Sequence, residues 1–407
     1  MDWKIKVGIY TGCMFFTASS YTMLVPFLPL YLLELGAGED DIGFWSAATF
    51  SVCFLVGGIM APIWGHMADA HGQKAMATRA AFMLFIAYTS GGLVQTPLQL
   101  FMMRVLQGFS NGYLPAVLTI VSSVAPVRYL GTGLSLVQSS MLVGTISGPL
   151  IGGVLAHWFG YRASFFVAGA ALLAVFIVTW FVPGDRAPRQ ERGPEPSQGL
   201  RADFRYAFGS LEIRRIVVLF FVFSGVVVAV QPIMSLFIKE LAPDAGDLAL
   251  VAGIALSIPS VTGSLAAPLW GWFGQRRGYY LACLCGALGG GLFLAGQGLC
   301  SDIMQLYIIS ALQGLFIVGV SPSLNSQLSL CTPQAFRARA FGIMTMAGQF
   351  GSMVGPMVAG FVGFYFSLSC QFYLSGLMLV LIGLYVAWVR LHAPPSPPHD
   401  PSHAAPE

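Results

Sequence analysis

The chain has 407 residues, of which 56% are hydrophobic and only 9% are charged, whereas soluble domains carry about 25% charged residues. So few charges cannot cover the surface that a chain of this length would show to water, and this excludes a water-soluble globule. The net charge of +3 is small, and the basic residues lie beside apolar runs, which indicates membrane topology rather than nucleic-acid binding. The seven Cys are scattered through apolar runs, so we expect no disulfide framework and no metal site.

Twelve apolar runs are long enough to form membrane-spanning helices, which need about 20 residues each. Six precede a stretch rich in Arg, Pro and Gly, at residues 7–33, 42–64, 76–94, 98–124, 130–158 and 163–182. Six follow it, at residues 213–238, 248–272, 279–299, 303–330, 338–364 and 368–389. The sequence therefore predicts an all-α integral membrane protein with twelve transmembrane helices.

The same pattern predicts the domain organisation. We expect a first six-helix half at residues 1–182, a cytoplasmic linker at 183–212, a second six-helix half at 213–389 and a disordered Pro-rich cytoplasmic tail at 390–407. With a cytoplasmic N-terminus, 17 of the 20 Lys and Arg fall inside and two outside, while Arg104 lies within a span. This asymmetry predicts that both termini and the linker are cytoplasmic.

The two halves carry related segments at a nearly constant offset. APIWG at residues 61–65 recurs as APLWG at residues 267–271, an offset of 206 positions. Similar offsets match Glu34 with Glu240, Gly144 with Gly351, Gly148 with Gly355 and Pro149 with Pro356. A duplicated six-helix unit predicts a binding site between the halves near the bilayer midplane, where rocking of the halves gives alternating access.

Three motifs lie within this frame. Residues 65–74 read GHMADAHGQK, between the second and third spans. The fourth span carries Arg104, Gln107, Gly108 and Gly112, and the fifth carries Gly144, Gly148, Pro149, Gly152 and Gly153. In these motifs, and over essentially its whole length, the chain resembles the major facilitator superfamily, and more narrowly its twelve-helix drug:proton antiporter group. The resemblance implies a major facilitator fold of two pseudo-symmetric halves and secondary active export across a bacterial inner membrane.

The resemblance also implies which residues control the conformational change. In the family the acid in the segment matching residues 65–74 latches the cytoplasmic side, while the fifth span packs closely and bends. The gating residues implied are Gly65, Asp69, Gly72, Lys74, Gly144, Gly148, Pro149, Gly152, Gly351, Gly355 and Pro356. Ala70 and Gln73 stand where the family usually has Arg, so we expect a weaker latch. For the glycines, plain small-residue packing is the alternative.

Proton coupling needs a group that titrates in the cavity, yet no acid lies at the middle of a span. The coupling candidates are Arg104 and the repeat mates Glu34 and Glu240 near the outer span ends. An Arg inside a span costs roughly 3 kcal/mol or more, so Arg104 should face a wet cavity or a polar partner, unless it snorkels to head groups. For Glu34 and Glu240 the alternative is a solvated helix end. Coupling therefore rests on the resemblance.

Polar and soft side chains within the spans predict a cavity lined by aromatic and amide groups. The candidates for this lining are Tyr21, Met23, Gln107, Asn111, Tyr113, Gln138, Gln231, Asn325 and Gln349. Taken singly, each could instead join helices through hydrogen bonds. Taken together, they fit an uncharged amphipathic or a cationic lipophilic ligand.

Three functions stay open at this stage. The first is proton-coupled multidrug efflux, and the second is export of a siderophore or other endogenous metabolite on the same scaffold. The missing mid-span acid keeps an uncoupled facilitator or a non-transporting receptor as a third. An intramembrane enzyme would need a nucleophile and base or a metal set at membrane depth, so we expect no enzyme. The expected partners are the bilayer, a small-molecule substrate and protons; we expect a monomer with no cofactor and no nucleic acid.

Overall fold

A computed structural model describes residues 1–38, 41–183, 199–242 and 248–392. All regular structure in these ranges is helical, as predicted. The α-helices are α1 Trp3–Met23, α2 Leu28–Glu34, α3 Ile42–His71, α4 Gln73–Leu93, α5 Pro97–Phe109, α6 Tyr113–Val124, α7 Leu130–Phe181, α8 Gly199–Gly209, α9 Leu211–Leu241, α10 Leu248–Arg277, α11 Tyr279–Gln297, α12 Ile303–Ile317, α13 Val320–Cys331, α14 Gln334–Tyr365 and α15 Leu368–His392.

Helices and membrane crossings do not correspond one to one. Seven helical stretches of the described residues, one of which is α12 with α13, are long and apolar enough to cross a bilayer, and α1 with α2, bent by 52°, makes an eighth crossing. Helix α7 is broken at Gly160, which has φ 80° and ψ 166°, into a first leg at residues 130–159 and a second leg at 161–181. The pairs α5 with α6 and α12 with α13 are broken spans. With the legs separated, the three pairs joined and the short helix α8 set aside, the described ranges contain the predicted twelve segments.

Both ends of the described chain lie at the same end of the helix bundle, because an even number of segments alternate in direction. We call this end the terminus side and the opposite end the far side. The far side carries the bend between α1 and α2, the break at Gly160 and the start of α10. The terminus side carries the turn between α3 and α4, where Gly72 has a φ of 91° that favours glycine.

One helix lies where the sequence predicts only a flexible linker. Helix α8 occupies part of residues 183–212, and residues 184–198 lie outside the described ranges. The Tyr206 ring centroid lies 4.4 Å from that of Phe336 on α14, and Asp203 accepts a 2.9 Å ion-paired hydrogen bond from Arg339. This part of the linker is therefore docked on the second half. Most of the predicted tail also lies outside the described ranges, although α15 extends to residue 392.

Each half has an apolar core of its own. One buried cluster lies wholly between residues 207 and 386, and another lies wholly between residues 7 and 182. A third joins first-half residues to Ala249 at the start of α10. Because lipid is as apolar as these side chains, close packing rather than transfer from water stabilises each half.

Small residues let matching spans approach closely in both halves. A Cβ added at Gly144 would lie 2.6 Å from Phe15 O of α1. At the repeat mate Gly351 it would overlap Phe221 O of α9. The fifth span therefore packs on the first, and the eleventh packs on the seventh, through the glycine stripes that the sequence repeats.

Candidate functional site

Two cavities lie between the spans. The larger, of about 440 Å³, is lined by α9 to α13 of the second half and by the first leg of α7. The smaller, of about 170 Å³, is lined by α1, α3, α4, α5, α6 and both legs of α7. Thr145 on the first leg lines both, so the two cavities are adjacent to each other at this helix. The larger cavity lies within the range of about 300–1,000 Å³ that is typical of small-molecule sites, whereas the smaller one lies below it.

The larger cavity is mostly apolar, and amides supply much of its polarity. Gln231, Gln297 and Gln313 all line it. Gln297 is 1% exposed and donates from Nε2 to Ser310 Oγ at 3.2 Å, but its Oε1 has no partner within the described part of the chain. A buried polar atom without a partner costs about 1–3 kcal/mol. The Gln297 amide is therefore a group that a bound ligand could satisfy.

The smaller cavity has a wall of phenols and amides. Among the residues that the structure describes, neither cavity is lined by Asp, Glu, Lys, Arg or His. Tyr113 is already engaged, with its hydroxyl 3.0 Å from Thr179 Oγ1. The polar residues lining the smaller cavity are Thr17, Tyr21, Tyr88, Gln107, Asn111, Tyr113 and Thr145.

Arg104 lies directly behind this wall. Its side chain is 3% exposed, Nε donates to Thr49 O at 2.9 Å and Nη1 donates to Gln107 Oε1 at 2.5 Å. Gln107 Nε2 in turn donates to Tyr88 Oη at 2.6 Å. Arg104 thus has polar partners beside a cavity, as one of the two interpretations predicts, and snorkelling to lipid head groups is wrong. No carboxylate of the described residues lies within ion-pair distance of Arg104.

On the far side the two halves touch through backbone and small residues. A Cβ at Gly253 would lie 2.6 Å from Pro149 O, and one at Gly360 would lie 2.6 Å from Ala47 Cβ. Ser235 Oγ of α9 also donates a hydrogen bond to Pro26 O. These contacts join α10 to the first leg of α7, α14 to α3, and α9 to the bend between α1 and α2. The far side is therefore closed above both cavities.

On the terminus side each of the same four bridging helices carries one glycine with open space beside it. A Cβ added there would meet nothing within 4 Å. The positions are Gly65 on α3, Gly131 on the first leg of α7, Gly271 on α10 and Gly342 on α14. The contacts between the halves at the glycines of these helices thus lie at their far ends.

The fourth and tenth spans are broken beside the cavities, and a tryptophan stabilises each break. Trp64 Nε1 donates to Phe109 O at 2.9 Å, and its repeat mate Trp270 donates to Leu315 O at 2.7 Å. Carbonyls freed at a helix end within a membrane need such donors. The first break also contains Gly112, with φ 119°. The repeated APxWG segment therefore has a structural role that the sequence alone did not indicate.

Arg79 adds a further contact at the first break only. Its guanidinium carbon lies 3.5 Å from the ring centroid of Trp64, and Nη2 donates to Asn111 O at 2.9 Å. The position that matches Arg79 by the repeat offset is Cys285, which cannot make these contacts. The two breaks therefore differ in charge and in backbone form, because Gly319 between α12 and α13 has a helical φ of −69°.

The predicted cavity residues divide into two groups. Those that line a cavity are Tyr21, Gln107, Asn111, Tyr113 and Gln231. Gln349 lies at the interface of the halves, where its Nε2 is 3.8 Å from a Cβ added at Gly57. Met23 is buried against Gly152, Gln138 is exposed, and the Asn325 amide bonds Ser321 O one turn back in its own helix. Neither cavity is lined by Gln349 or by these last three residues.

The predicted coupling and gating residues also lie in different places. Glu34 and Glu240 are exposed on the far side and line neither cavity. The side chain of Asp69 lies outside the described residues, while Lys74 is half-buried at the start of α4. The glycines and prolines of the fifth and eleventh spans all lie on packed faces or inside the helices, at Gly144, Gly148, Pro149, Gly152, Gly351, Gly355 and Pro356.

Sequence reasoning missed four residues of this region. Tyr88 completes the hydrogen-bond chain from Arg104, but a lone Tyr in a span gives no signal of that role. Gln297 and Gln313 are amides within predicted spans and could have been included by the same criterion as Gln231. Trp64 was marked by the repeat itself, although its hydrogen-bond partner lies 45 residues away.

Two paired helical halves with cavities between their spans are the architecture of a multi-pass membrane transporter. Similarity to known proteins identifies the family. The family model of the Major Facilitator Superfamily matches residues 10–250 and 230–406. The chain belongs to this superfamily, and it is a transporter rather than an enzyme.

Curated relatives and solved structures agree with this assignment. The chain is 30% identical over 401 residues to multidrug resistance protein MdtG of Proteus mirabilis, covering 97% of both chains. It is 31% identical over 374 residues to a PmrA homolog of Lactococcus lactis described as a multi-drug resistance efflux pump, covering 90% of both. The crystal structure of the nucleoside transporter NupG superposes with a TM-score of 0.77 at 16% identity, covering 97% of this chain and 100% of that one. The last likeness concerns the fold alone.

Proposed function

We propose that the chain exports lipophilic drugs from the cytoplasm in exchange for protons, by alternating access of its two halves. The observation that carries the proposal is the asymmetry of the bridging helices, which touch across the halves at far-side glycines and carry glycines without neighbours on the terminus side. The MdtG and PmrA relatives, which are named for multidrug resistance and efflux, support the direction of transport and the class of substrate.

We assign the terminus side to the cytoplasm, because 17 of the 20 Lys and Arg fall there by the sequence count. With this orientation the structure corresponds to an inward-facing state, in which a cytoplasmic substrate reaches both cavities. Closure of the terminus side and opening of the far side would release it outside. The halves form the complete pathway in one chain, so the functional unit is a monomer.

The lining of the cavities favours drugs over a citrate-type siderophore. Such a siderophore carries several carboxylates, and burying each without a partner is costly. Among the described residues, the cavity linings contain no Lys, Arg or His, and one guanidinium, that of Arg104, lies behind them. An apolar ligand with few polar groups fits this lining better.

For proton coupling, Arg104 is the one sequence candidate that borders a cavity. Its charge can be felt by a substrate or by a titrating group in the wall, because buried charges are weakly screened. Glu34 and Glu240 are exposed on the far side and would exchange protons with the outside solution. Replacing Glu34 and Glu240 by Gln therefore tests whether the coupling proton is carried on the far side or beside Arg104.

The test is transport in everted membrane vesicles with an acidic interior. A panel of lipophilic dyes and citrate-type siderophores is added, and substrate uptake and interior pH are followed together. We expect dye accumulation that dissipates the pH gradient and that Arg104→Ala abolishes. Accumulation that ignores the gradient would instead establish an uncoupled facilitator, and siderophore uptake without dye uptake would establish the metabolite exporter.

A further inference from the structure

The chain of donors from Arg104 to Tyr88 has a fixed direction. Arginine is always protonated and can only donate, so the end of the Gln107 side chain facing Nη1 must be its carbonyl oxygen. The amide nitrogen then faces Tyr88 Oη, to which it donates at 2.6 Å. The usual ambiguity between the two ends of a Gln amide is absent here, because the reverse orientation would place two donors against each other.

This direction leaves the hydroxyl hydrogen of Tyr88 to point elsewhere. Gln107 Nε2 is a donor only and cannot accept it. Within the described part of the chain, no oxygen or nitrogen accepts from Tyr88 Oη, although the side chain is 1% exposed and lines the smaller cavity. A buried hydroxyl hydrogen without an acceptor is costly, and the cavity is the space that it borders.

The positive charge of Arg104 makes this hydroxyl a stronger donor. Hydrogen bonds in a chain polarise one another, and those that involve an ionised group are roughly twice as strong as neutral ones. No carboxylate of the described residues neutralises Arg104. The wall therefore presents positive potential and a free donor to the cavity, and it presents no acid.

We infer that the smaller cavity is a subsite for an anionic head group, and that the protein binds singly charged anionic amphiphiles in preference to cationic ones of the same size. The inference rests on the proposed export function and names the substrate class of the same site. A carboxylate would accept from Tyr88, and an apolar tail would extend past Thr145 into the larger cavity. A cation there would meet the field of Arg104 with no acid to offset it.

This preference reverses part of the sequence-based expectation. The amides and aromatic residues alone admit a cationic lipophilic ligand. The folded arrangement disfavours it, because Arg104 lies one side chain behind the wall while Glu34 and Glu240 lie outside the cavities. A single carboxylate matches the single guanidinium, whereas a citrate-type siderophore would bring more negative charge than the wall compensates.

The test compares three fluorescent probes with one hydrophobic body: pyrenebutyrate, its methyl ester and the corresponding pyrenebutyl-trimethylammonium. Binding is measured with the full chain in lipid nanodiscs, after subtraction of binding to empty nanodiscs. For the wild-type chain we expect pyrenebutyrate to bind at least tenfold more tightly than the ammonium probe, with the ester between them. Equal binding of the two charged probes, or no binding of any probe, overturns the inference.

Two variants test the donor chain itself. Tyr88→Phe removes one hydroxyl, and we expect it to weaken pyrenebutyrate binding about tenfold while the ammonium probe is unaffected, since hydrogen bonds to charged groups are the stronger kind. Gln107→Glu places a carboxylate between Arg104 and Tyr88, so the phenol donates to it and the preference should reverse. Tyr385→Phe, at a half-exposed phenol far from the cavities, is the matched control.

Folding and transport are measured beside binding. Thermal unfolding shows whether Tyr88→Phe is folded, and Gln107→Glu provides an independent readout if it is not. Dye export in everted vesicles separates the two proposals. Export without a charge preference in binding overturns the anion subsite and keeps the proposed function. A charge preference without export keeps the anion subsite and overturns the proposed function.

Discussion

Substitution of Gly253 should shift the equilibrium between the conformation with a closed far side and the conformation with an open far side. A Cβ added there would lie 2.6 Å from Pro149 O and 3.3 Å from Gly153 Cα, both on the opposite half. Both near atoms are backbone, so Gly253→Ala can be accommodated only by moving one helix from the other. The substitution therefore acts against the closed far side.

The size of the effect follows from two contributions. Inserting a methyl group into a well-packed contact costs about 1–3 kcal/mol. The better helix propensity of Ala, worth roughly 0.5–1 kcal/mol, applies to both conformations and cancels in the equilibrium between them. We expect the ratio of far-side-closed to far-side-open protein to fall by about 5- to 150-fold, since 1.4 kcal/mol is about a factor of ten.

The assay is a distance distribution between two spin labels on the far side. Phe44 at the start of α3 and Phe366 beyond α14 are 66% and 71% exposed and belong to opposite halves. Both are replaced by Cys in a background without the seven native thiols, which are free cysteines in the structure. Gly253→Ala should increase the population with the longer distance.

The matched control is Gly12→Ala on α1, where an added Cβ meets nothing within 4 Å. This control makes the same chemical change in a helix and should leave the distance distribution unchanged. If Gly253→Ala has no greater effect than Gly12→Ala, the far-side contact does not hold the closed state and the reasoning is refuted.

Three further changes have expected outcomes of different size. Trp64→Phe leaves Phe109 O without its donor, so the thermal unfolding midpoint should fall by the equivalent of about 1–3 kcal/mol, and an unchanged midpoint contradicts this role. Gly112→Ala forces φ 119° on a residue with a Cβ, so we expect about 1–2 kcal/mol of destabilisation by the same measurement, and no loss would mean that the break relaxes. Asp203→Asn removes a partly exposed ion pair to Arg339, so unfolding should change by less than about 1 kcal/mol, and a larger loss would show that α8 is essential to the fold.

The gross fold was predictable because its signals are long. Apolar runs of about 20 residues mark each span, and the repeat of APIWG as APLWG relates the halves without any structure. The glycine stripe at Gly144 and its mate Gly351 predicted close packing, and the structure places both against backbone carbonyls. These features depend on local composition, which a sequence shows directly.

The site was only partly predictable because its contacts join distant segments. Arg104 and Gln107 are one helical turn apart and can be paired by spacing, but Tyr88 reaches Gln107 only through the packing of α4 on α5. The break after Phe109 contains no proline, so the hydropathy pattern runs through it. Trp64 stabilises that break across 45 residues, which no local pattern encodes.

Helix α8 shows a third kind of limit. The Arg and Pro content of residues 183–212 indicated a flexible linker, and the docked helix occupies only its later part. Its contacts, Tyr206 with Phe336 and Asp203 with Arg339, depend on a surface that exists only once α14 is in place. The average composition of a linker therefore does not reveal a short segment that folds against another helix of the same chain.

The central claim is that the halves move substrate by opening and closing alternately at the two sides, and a reversible cross-link across the far side tests it most directly. Phe44→Cys with Phe366→Cys, in the chain without its seven native cysteines, places one thiol on the far side of each half, where a membrane-permeant bifunctional thiol reagent with a cleavable disulfide can join the start of α3 to the end of α14. Each single variant controls for the substitution itself. In everted vesicles we expect the cross-linking reagent to stop dye accumulation in the double variant only, and reductive cleavage of the cross-link to restore it. Transport that continues unchanged through a completely cross-linked far side would contradict the alternating-access account.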